Sequence, residues 1–402
     1  MRLNNFWTYR RLLLTRGFLR ALRCSRQNLK SSRQGLPPAA GPFMAELDVT
    51  YRCNCRCTMC QRWQETRPDG LAAADYERLA GEFAALGVYQ VSIAGGEPLL
   101  RRDIFQIIGH FAGRGMSVNL CTNGMLLEKY RREIAASGAT CVTVSLDGAT
   151  AECHDAIRGL PGSSRCIEGG IAAYLAQRNG AAGPLLRVRM TVSKANTGEI
   201  RDFCRAWRGV ADDVLLQPVH RCDQSYYTGL DEGTLRLDPT ALAAQLHGTS
   251  MENDPYMRRL IESLSTTGRF PDAPCYAGLL MVRIDPWGAV YPCLEQHVSV
   301  GSIRPGGFTA VWNSAVFDQE RKRLSSHRPC RCWYNNTAMI GHFGGRLEKT
   351  LFSSGRAGAL PESRSEWRPA SACGVRPSDL KPLQMESCRR APQMSERRRG
   401  KK

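Results

Sequence analysis

An α/β fold built on a parallel sheet is what this sequence predicts, and three observations lead there. Six short runs rich in β-branched and apolar residues recur over residues 46–217. Helical periodicities lie between them. Polar, turn-forming clusters follow the runs, at the strand ends where such sheets hold ligands.

The expected strands are Glu46–Tyr51, Gln90–Ala94, Ser117–Thr122, Thr140–Leu146, Leu186–Val192 and Asp213–Gln217. Leu79, Phe83 and Leu86 share a helical face, as do Ile104, Ile107, Ile108 and Phe111. Repeated βα steps imply right-handed crossovers. Periodicity alone leaves open whether the sheet is flat or curled into a part-barrel. Residues 1–42 are basic and end in Pro37, Pro38 and Pro42. Trp7, Leu14, Phe18 and Leu22 would share a helical face suited to a membrane surface, but Arg11 interrupts it. A solvated, tail-like segment is expected there. From about Arg346 the chain is rich in Arg, Ser and Pro and is expected to be disordered.

The chain has 402 residues, 43% of them hydrophobic, enough for a sizeable core. Its formal charge is +18, but residues 1–40 and 351–402 hold 16 of those charges. The body is nearly neutral, which gives no support to a basic nucleic-acid groove. No apolar run is long enough to cross a membrane. Arg10, Arg11, Arg16, Arg20 and Arg23 break up any signal-peptide core, and Arg23 before Cys24 argues against a lipoprotein site. Seventeen scattered cysteines make a poor disulfide framework, so a reducing, cytoplasmic location is expected.

The first strand runs into Cys53-Asn54-Cys55-Arg56-Cys57-Thr58-Met59-Cys60. Cysteines this close can hold a soft metal or an iron–sulfur cluster. Cys53, Cys57 and Cys60 would fill three corners of a four-iron cluster and leave one iron open; a zinc knuckle using all four cysteines is the alternative. The second strand ends in Gly95-Gly96-Glu97-Pro98, where glycines allow close backbone approach and a carboxylate could meet an ammonium group. Thr122-Asn123-Gly124 and Ser145-Leu146-Asp147-Gly148 end the next two strands; both also read as plain turns.

Together the CxxxCxxC loop, the GGEP turn and the TNG and SLDG turns resemble the radical S-adenosylmethionine (radical SAM) superfamily, over about residues 44–345. The resemblance implies a partial (βα)6 TIM-like barrel. It implies a [4Fe–4S] cluster on Cys53, Cys57 and Cys60, with S-adenosylmethionine chelating the open iron. Gly95, Gly96 and Glu97 would hold the methionine amino end, and Arg158, in His154-Asp-Ala-Ile-Arg158-Gly, would pair with the methionine carboxylate. Ser145, Asp147, Thr191, Ser193 and Asn196 would face the cofactor. Reductive cleavage would yield a 5′-deoxyadenosyl radical that abstracts hydrogen from a substrate. The family often has an apolar residue where Cys55 stands, so Cys55 is not expected to be a ligand.

Beyond the barrel, Cys275, Gly288, Cys293 and the late pair Cys330-Arg331-Cys332 resemble the SPASM or twitch extension of that superfamily, a small α+β domain. The four cysteines would hold an auxiliary [4Fe–4S] cluster; the C-x-C spacing departs from the commoner CxxC, and structural zinc is the alternative. The expected domains are a basic extension over 1–42, the radical SAM core over 43–255, the SPASM/twitch-like domain over 256–345 and a basic tail over 346–402. Cys121 and Cys141 read as core residues. His220 would line the cavity, and Asp285 or Glu295 would serve as a base. The expected function is radical modification of a peptide or protein side chain. A sugar, nucleotide or lipid precursor is the alternative substrate, and a non-catalytic Fe–S or Zn scaffold the alternative role. A flavodoxin or ferredoxin would supply electrons, and the basic termini would suit an acidic surface.

Overall fold

The computed structural model describes residues 16–178, 183–219, 236–271, 275–294 and 298–326, with single positions at 233, 333, 334, 336, 338, 340 and 341. The chain divides into two units, Met1–Phe352 and Ser353–Lys402, and every described residue belongs to the first.

After helix α1 (Arg16–Arg33) come β1 (Met44–Thr50), α2 (Ala73–Leu86), β2 (Gln90–Gly95), α3 (Ile104–Ala112), β3 (Ser117–Thr122) and α4 (Arg131–Ala136). Then follow β4 (Cys141–Ser145), α5 (Ala151–Arg158), α6 (Ser163–Gln177), β5 (Leu185–Val192), α7 (Ile200–Trp207) and β6 (Asp213–Pro218). Helices α8 (Pro239–Leu246) and α9 (Pro255–Thr267) lead to a hairpin of β7 (Met281–Ile284) and β8 (Val290–Tyr291), and then to α10 (Gly307–Trp312) and α11 (Ala315–Ser326).

The sheet order is β6-β5-β4-β3-β2-β1-β7-β8. Strands β1 to β6 are parallel and lie in sequence order. Right-handed crossovers that always step in one direction stack their helices on one face, so the sheet curls. This is the part-barrel the resemblance implied. The hairpin does not stand apart from it. Strand β7 pairs in parallel with β1, Met44 to Leu47 against Met281 to Ile284, and extends the sheet. Gly288 makes the hairpin turn at a φ of 92°. Asp285 Oδ1 accepts the amides of Trp287 and Ala289, both at 2.9 Å, and Oδ2 accepts the Tyr291 hydroxyl. Asp285 therefore builds the turn, and the expectation of a base there is replaced by a structural role.

The two sheet faces differ. Leu47, Val49, Ile93, Leu120, Val144 and Val188 point at the helices and are fully buried. Phe83 of α2 and all four apolar residues of the α3 stripe meet them. Burying each such side chain contributes about 1.5–3 kcal/mol. The residues between them face inward and are polar.

Helix α1 corrects the tail-like expectation for residues 16–33. Ala21 and Leu29 are buried, and Phe18 packs edge-on against Tyr89 at 5.4 Å. Asn28 is fully buried: its Nδ2 donates to Gly41 O at 2.9 Å, and its Oδ1 accepts the Ala40 amide. The apolar period seen in the sequence is satisfied by the body itself. Trp7, Leu14 and the tail beyond Arg346 lie outside the described residues.

Candidate active site

The loop after β1 carries the four clustered cysteines and is clamped from two sides. On one side, Gly96 N donates to Thr50 O at 2.7 Å and Glu97 N to Arg52 O at 2.8 Å. On the other, Arg56 N donates to Arg158 O at 3.0 Å and Thr58 N to Ile157 O at 2.9 Å. A Cβ on Gly95 would stand 2.1 Å from Thr50 O, and one on Gly96 2.3 Å from Arg52 O. These glycines are dictated first by the approach of the cysteine loop. Both also line a cavity of about 150 Å³ at the strand ends.

Cys53, Cys57 and Cys60 line that cavity, and so does Cys55. The family resemblance had set Cys55 aside as a ligand. It is buried, and its thiol donates toward both Cys53 and Cys57. That donation, opposed by burial and aided by Arg158, brings the Cys57 thiol down to about 6. Cys53 is lowered by the same donor, whereas burial raises Cys60. Among the described residues no three His, Cys, Asp or Glu side chains converge on a point that would hold a single metal ion. A four-iron cube presents its irons at separate corners, so its thiolates need no common point. Two N–H groups approach the sulfurs: Arg158 Nη1 lies 3.7 Å from Cys57 Sγ, and Asn123 Nδ2 lies 3.9 Å from Cys53 Sγ. Soft thiolates on one loop, backed by N–H donors and open to a cavity, fit an iron–sulfur cluster.

Two carboxylates expected at the cofactor, Glu97 and Asp147, are not among the residues lining the cavity. Glu97 is fully buried. Its Oε1 accepts Thr122 Oγ1 at 2.8 Å and Leu99 N at 3.1 Å, and its Oε2 accepts Asn123 N at 2.7 Å. Burial pushes its carboxyl up to about 7. Through these bonds Glu97 ties the second strand-end turn to the third. Asp147 is also fully buried. Its Oδ1 accepts Thr191 N at 2.8 Å, and its Oδ2 pairs with Arg158 Nε at 2.7 Å. Its amide donates to His154 Nδ1, and its carbonyl accepts Asn196 Nδ2. Asn196 Oδ1 in turn accepts Ser193 N. Asp147, His154 and Asn196 thus hold the turn that aims Arg158, while Ser145, Arg158 and Thr191 reach the cavity.

Part of the inner sheet face lines the cavity, through Glu46, Ala94, Cys121, Ser145, Arg189 and Thr191. In register across that face stand Glu46, Ser92, Asn119 and Cys141, then Cys121, Thr143, Arg187 and Asp213. Thr143 Oγ1 donates to Asn119 Oδ1 at 2.8 Å, and Asn119 Nδ2 lies 3.3 Å from Cys121 Sγ. Cys141 is buried, as expected of a core residue, whereas Cys121 lines the cavity, and burial pushes the Cys121 thiol up to about 11. Residues that motif reasoning missed also line the cavity: Arg62, Trp63, Arg189 and Arg283. Arg62 Nη1 donates to Asp48 Oδ1 and to Gly95 O, both at 2.9 Å. Arg189 donates to Ser145 Oγ at 3.1 Å. The alternation of Leu186, Val188 and Met190 with Arg187 and Arg189 was the signal that could have found the last.

The second cysteine group lies at the open end of the hairpin. Cys275 is half-buried and Cys293 buried. Gly278 N donates to Pro292 O at 2.7 Å, joining the chain after Cys275 to the chain before Cys293. Leu294 and Tyr334 line the same cavity as the first cysteine loop. Cys330, Cys332, His220 and Glu295 lie outside the described residues.

Residues 47–174 match the radical SAM superfamily, and residues 275–333 match SPASM, an iron–sulfur cluster-binding domain. Mycofactocin maturase MftC of Mycobacterium ulcerans is 27% identical over 330 residues, covering 75% of this chain and 82% of that one. AdoMet-dependent heme synthase of Methanosarcina barkeri is 29% identical over 303 residues, covering 70% of this chain and 85% of that one. Streptococcus suis SuiB bound to precursor peptide SuiA shares the fold, with a TM-score of 0.56 at 16% identity, covering 75% and 70% of the two chains.

Fold and site define an iron–sulfur enzyme that uses S-adenosylmethionine. The chain carries a radical SAM domain over residues 47–174, which implies a [4Fe–4S] cluster and S-adenosylmethionine, and a SPASM domain over residues 275–333, which implies an auxiliary iron–sulfur cluster. No helix among the described residues is long and apolar enough to cross a membrane.

Proposed function

We propose that this enzyme modifies a peptide or protein side chain by hydrogen abstraction. When bound, the cluster and S-adenosylmethionine supply a 5′-deoxyadenosyl radical. Cys53, Cys57 and Cys60 would hold the cluster, and Cys275, Cys293, Cys330 and Cys332 the auxiliary one. Gly95 and Gly96 let the cysteine loop close on the second strand end. Glu97 and Asp147 act from outside the cavity lining, one fixing the Asn123 turn and the other aiming Arg158. Ser145, Arg158 and Thr191 would meet the cofactor from the cavity wall. The radical SAM core would span residues 43–255 and the SPASM-like domain residues 256–345, its hairpin strand β7 paired with β1 of the barrel sheet.

The observation that carries the reading is the clamped cysteine loop opening onto a polar-walled cavity shared with Leu294 and Tyr334 of the SPASM side. The peptide reading is supported by the names of two similar proteins, a maturase and a protein bound to a precursor peptide. The heme synthase favours a small cofactor precursor instead. Electrons would come from a flavodoxin or ferredoxin, and the thiol chemistry suits a cytoplasmic setting.

The test is anaerobic reconstitution with iron and sulfide, then dithionite and S-adenosylmethionine, with Cys57→Ala as control. About eight irons per chain, with deoxyadenosine from wild type only, is the expected result. Iron without deoxyadenosine, even with candidate peptides present, moves the assignment to a scaffold.

A further inference from the structure

Helix α1 has two faces of opposite character. Its buried face, Ala21 and Leu29 with Phe18 and Leu22 beside them, joins one apolar cluster with Tyr276, Leu280, Leu294 and Tyr334. Tyr276 follows Cys275, Leu294 follows Cys293, and Tyr334 stands two places after Cys332. The helix therefore covers the segments that flank the SPASM cysteines. On the other side Arg23, Arg26, Lys30 and Arg33 are exposed. Spacings of three, four and three residues keep them in one strip, about 15 Å long at the helical rise. The 18-residue helix holds no acidic residue. Lys30 and Arg33 suit the negative end of the helix dipole. Arg23 and Arg26 gain nothing of that kind, and Arg26 and Lys30, four apart, repel.

We propose that this strip docks an acidic one-electron carrier protein over the auxiliary-cluster segment. The proposal rests on the reading above that a flavodoxin or ferredoxin supplies the electrons. In the step, the carrier loses one electron and the auxiliary cluster gains it; no bond forms or breaks. Two observations favour a protein over other anionic partners. A helix that binds a lipid surface inserts its apolar face, and here that face is occupied by the body. Nucleic-acid binding needs a basic track that continues, whereas residues 41–350 carry only +2 of the chain's +18.

The test is the second-order rate at which photoreduced flavodoxin reduces the reconstituted full chain, followed by cluster absorbance. Steered association of this kind is worth roughly 10- to 1000-fold at low salt. The triple variant Arg23→Glu/Arg26→Glu/Lys30→Glu is expected to be at least about tenfold slower with flavodoxin, with a flatter salt dependence. Its iron content and its reduction by dithionite should equal wild type. The neutral triple Arg→Gln/Arg→Gln/Lys→Gln at the same positions keeps the test alive if charge reversal unfolds the helix, and should fall between the two. An unchanged flavodoxin rate in the neutral variant overturns the proposal. So does an unchanged rate accompanied by lost binding to phosphatidylglycerol vesicles or to single-stranded RNA, which would give the strip to that partner. Deoxyadenosine from wild type with dithionite keeps the enzyme reading separate: its presence beside a strip-insensitive flavodoxin rate sinks the docking alone.

Discussion

The two faces of one sheet divide the labour of this molecule. Val142 and Val144 of β4 point outward into helices and are fully buried. Thr143 and Ser145, their neighbours, point inward to Asn119 and Arg189. Parallel sheets covered on both sides usually read as unbroken hydrophobic runs. This one alternates, because its second side encloses a chamber instead of packing on a layer. The outer face carries stability, and the inner face, with the loops above it, carries chemistry. A substitution should therefore harm one property and spare the other according to the direction of its side chain.

The largest separation is expected at the cysteine loop. Cys57→Ala should abolish deoxyadenosine formation while the denaturant midpoint of the cluster-free protein stays near wild type. A large fall in that midpoint would mean that the loop also bears the fold. The converse is Phe111→Ala on the outer side. Phe111 is fully buried and its ring centroid lies 6.0 Å from that of Phe83. Its loss should cost about 3–5 kcal/mol in denaturant titration. Deoxyadenosine yield per folded molecule should be kept.

Glu97 and His154 sharpen the comparison at the strand-end turns. Burial raises Glu97 from its ordinary 4.5 to about 7 and lowers His154 from 6.5 to about 4. The folded protein holds the Glu97 proton more tightly than the unfolded chain, so stability falls as pH rises from about 4.5 to 7. It holds the His154 proton less tightly, so stability falls as pH drops from 6.5 to about 4. Each amounts to about 3 kcal/mol over its window, with opposite sign. Wild type should be nearly flat between pH 4.5 and 6.5 in this respect. Glu97→Gln should expose the His154 slope, and His154→Asn the Glu97 slope. Parallel pH–stability curves for both variants and wild type would show that neither group carries its shift.

The outer face was legible in the sequence because apolar periodicity is a burial signal. Ile104, Ile107, Ile108 and Phe111 announced their helix, and the six strands fell close to their observed bounds. The cysteine loop was legible because three thiolates at that spacing have few other uses. Glu97 and Asp147 were marked as site residues, yet their reach into neighbouring turns depends on long-range contacts that spacing does not encode. Cys55 was set aside because the family often carries an apolar residue there, and its interaction with Cys53 and Cys57 belongs to the folded loop alone. Helix α1 was misread because Arg11 broke the apolar face read in the sequence, whereas the face that packs is completed by Ala21, Asn28 and Leu29.

The smallest expected effect is also the closest test, because it compares adjacent residues. Val144→Ala removes buried methyl groups from the outer face, at about 2 kcal/mol once the cavity is included. Thr143→Val keeps the shape and removes one hydroxyl that donates to Asn119 Oδ1. Such a bond is worth about 1 kcal/mol net. The inner wall gains no apolar burial from the hydroxyl, and Asn119 keeps its donation to Ser92 Oγ. Thr143→Val should thus cost less stability than Val144→Ala, although it removes a hydrogen bond from the polar inner face. Denaturant midpoints of the two variants decide it. A larger loss for Thr143→Val would make the inner network part of what holds the sheet together, and the division between the faces would fail.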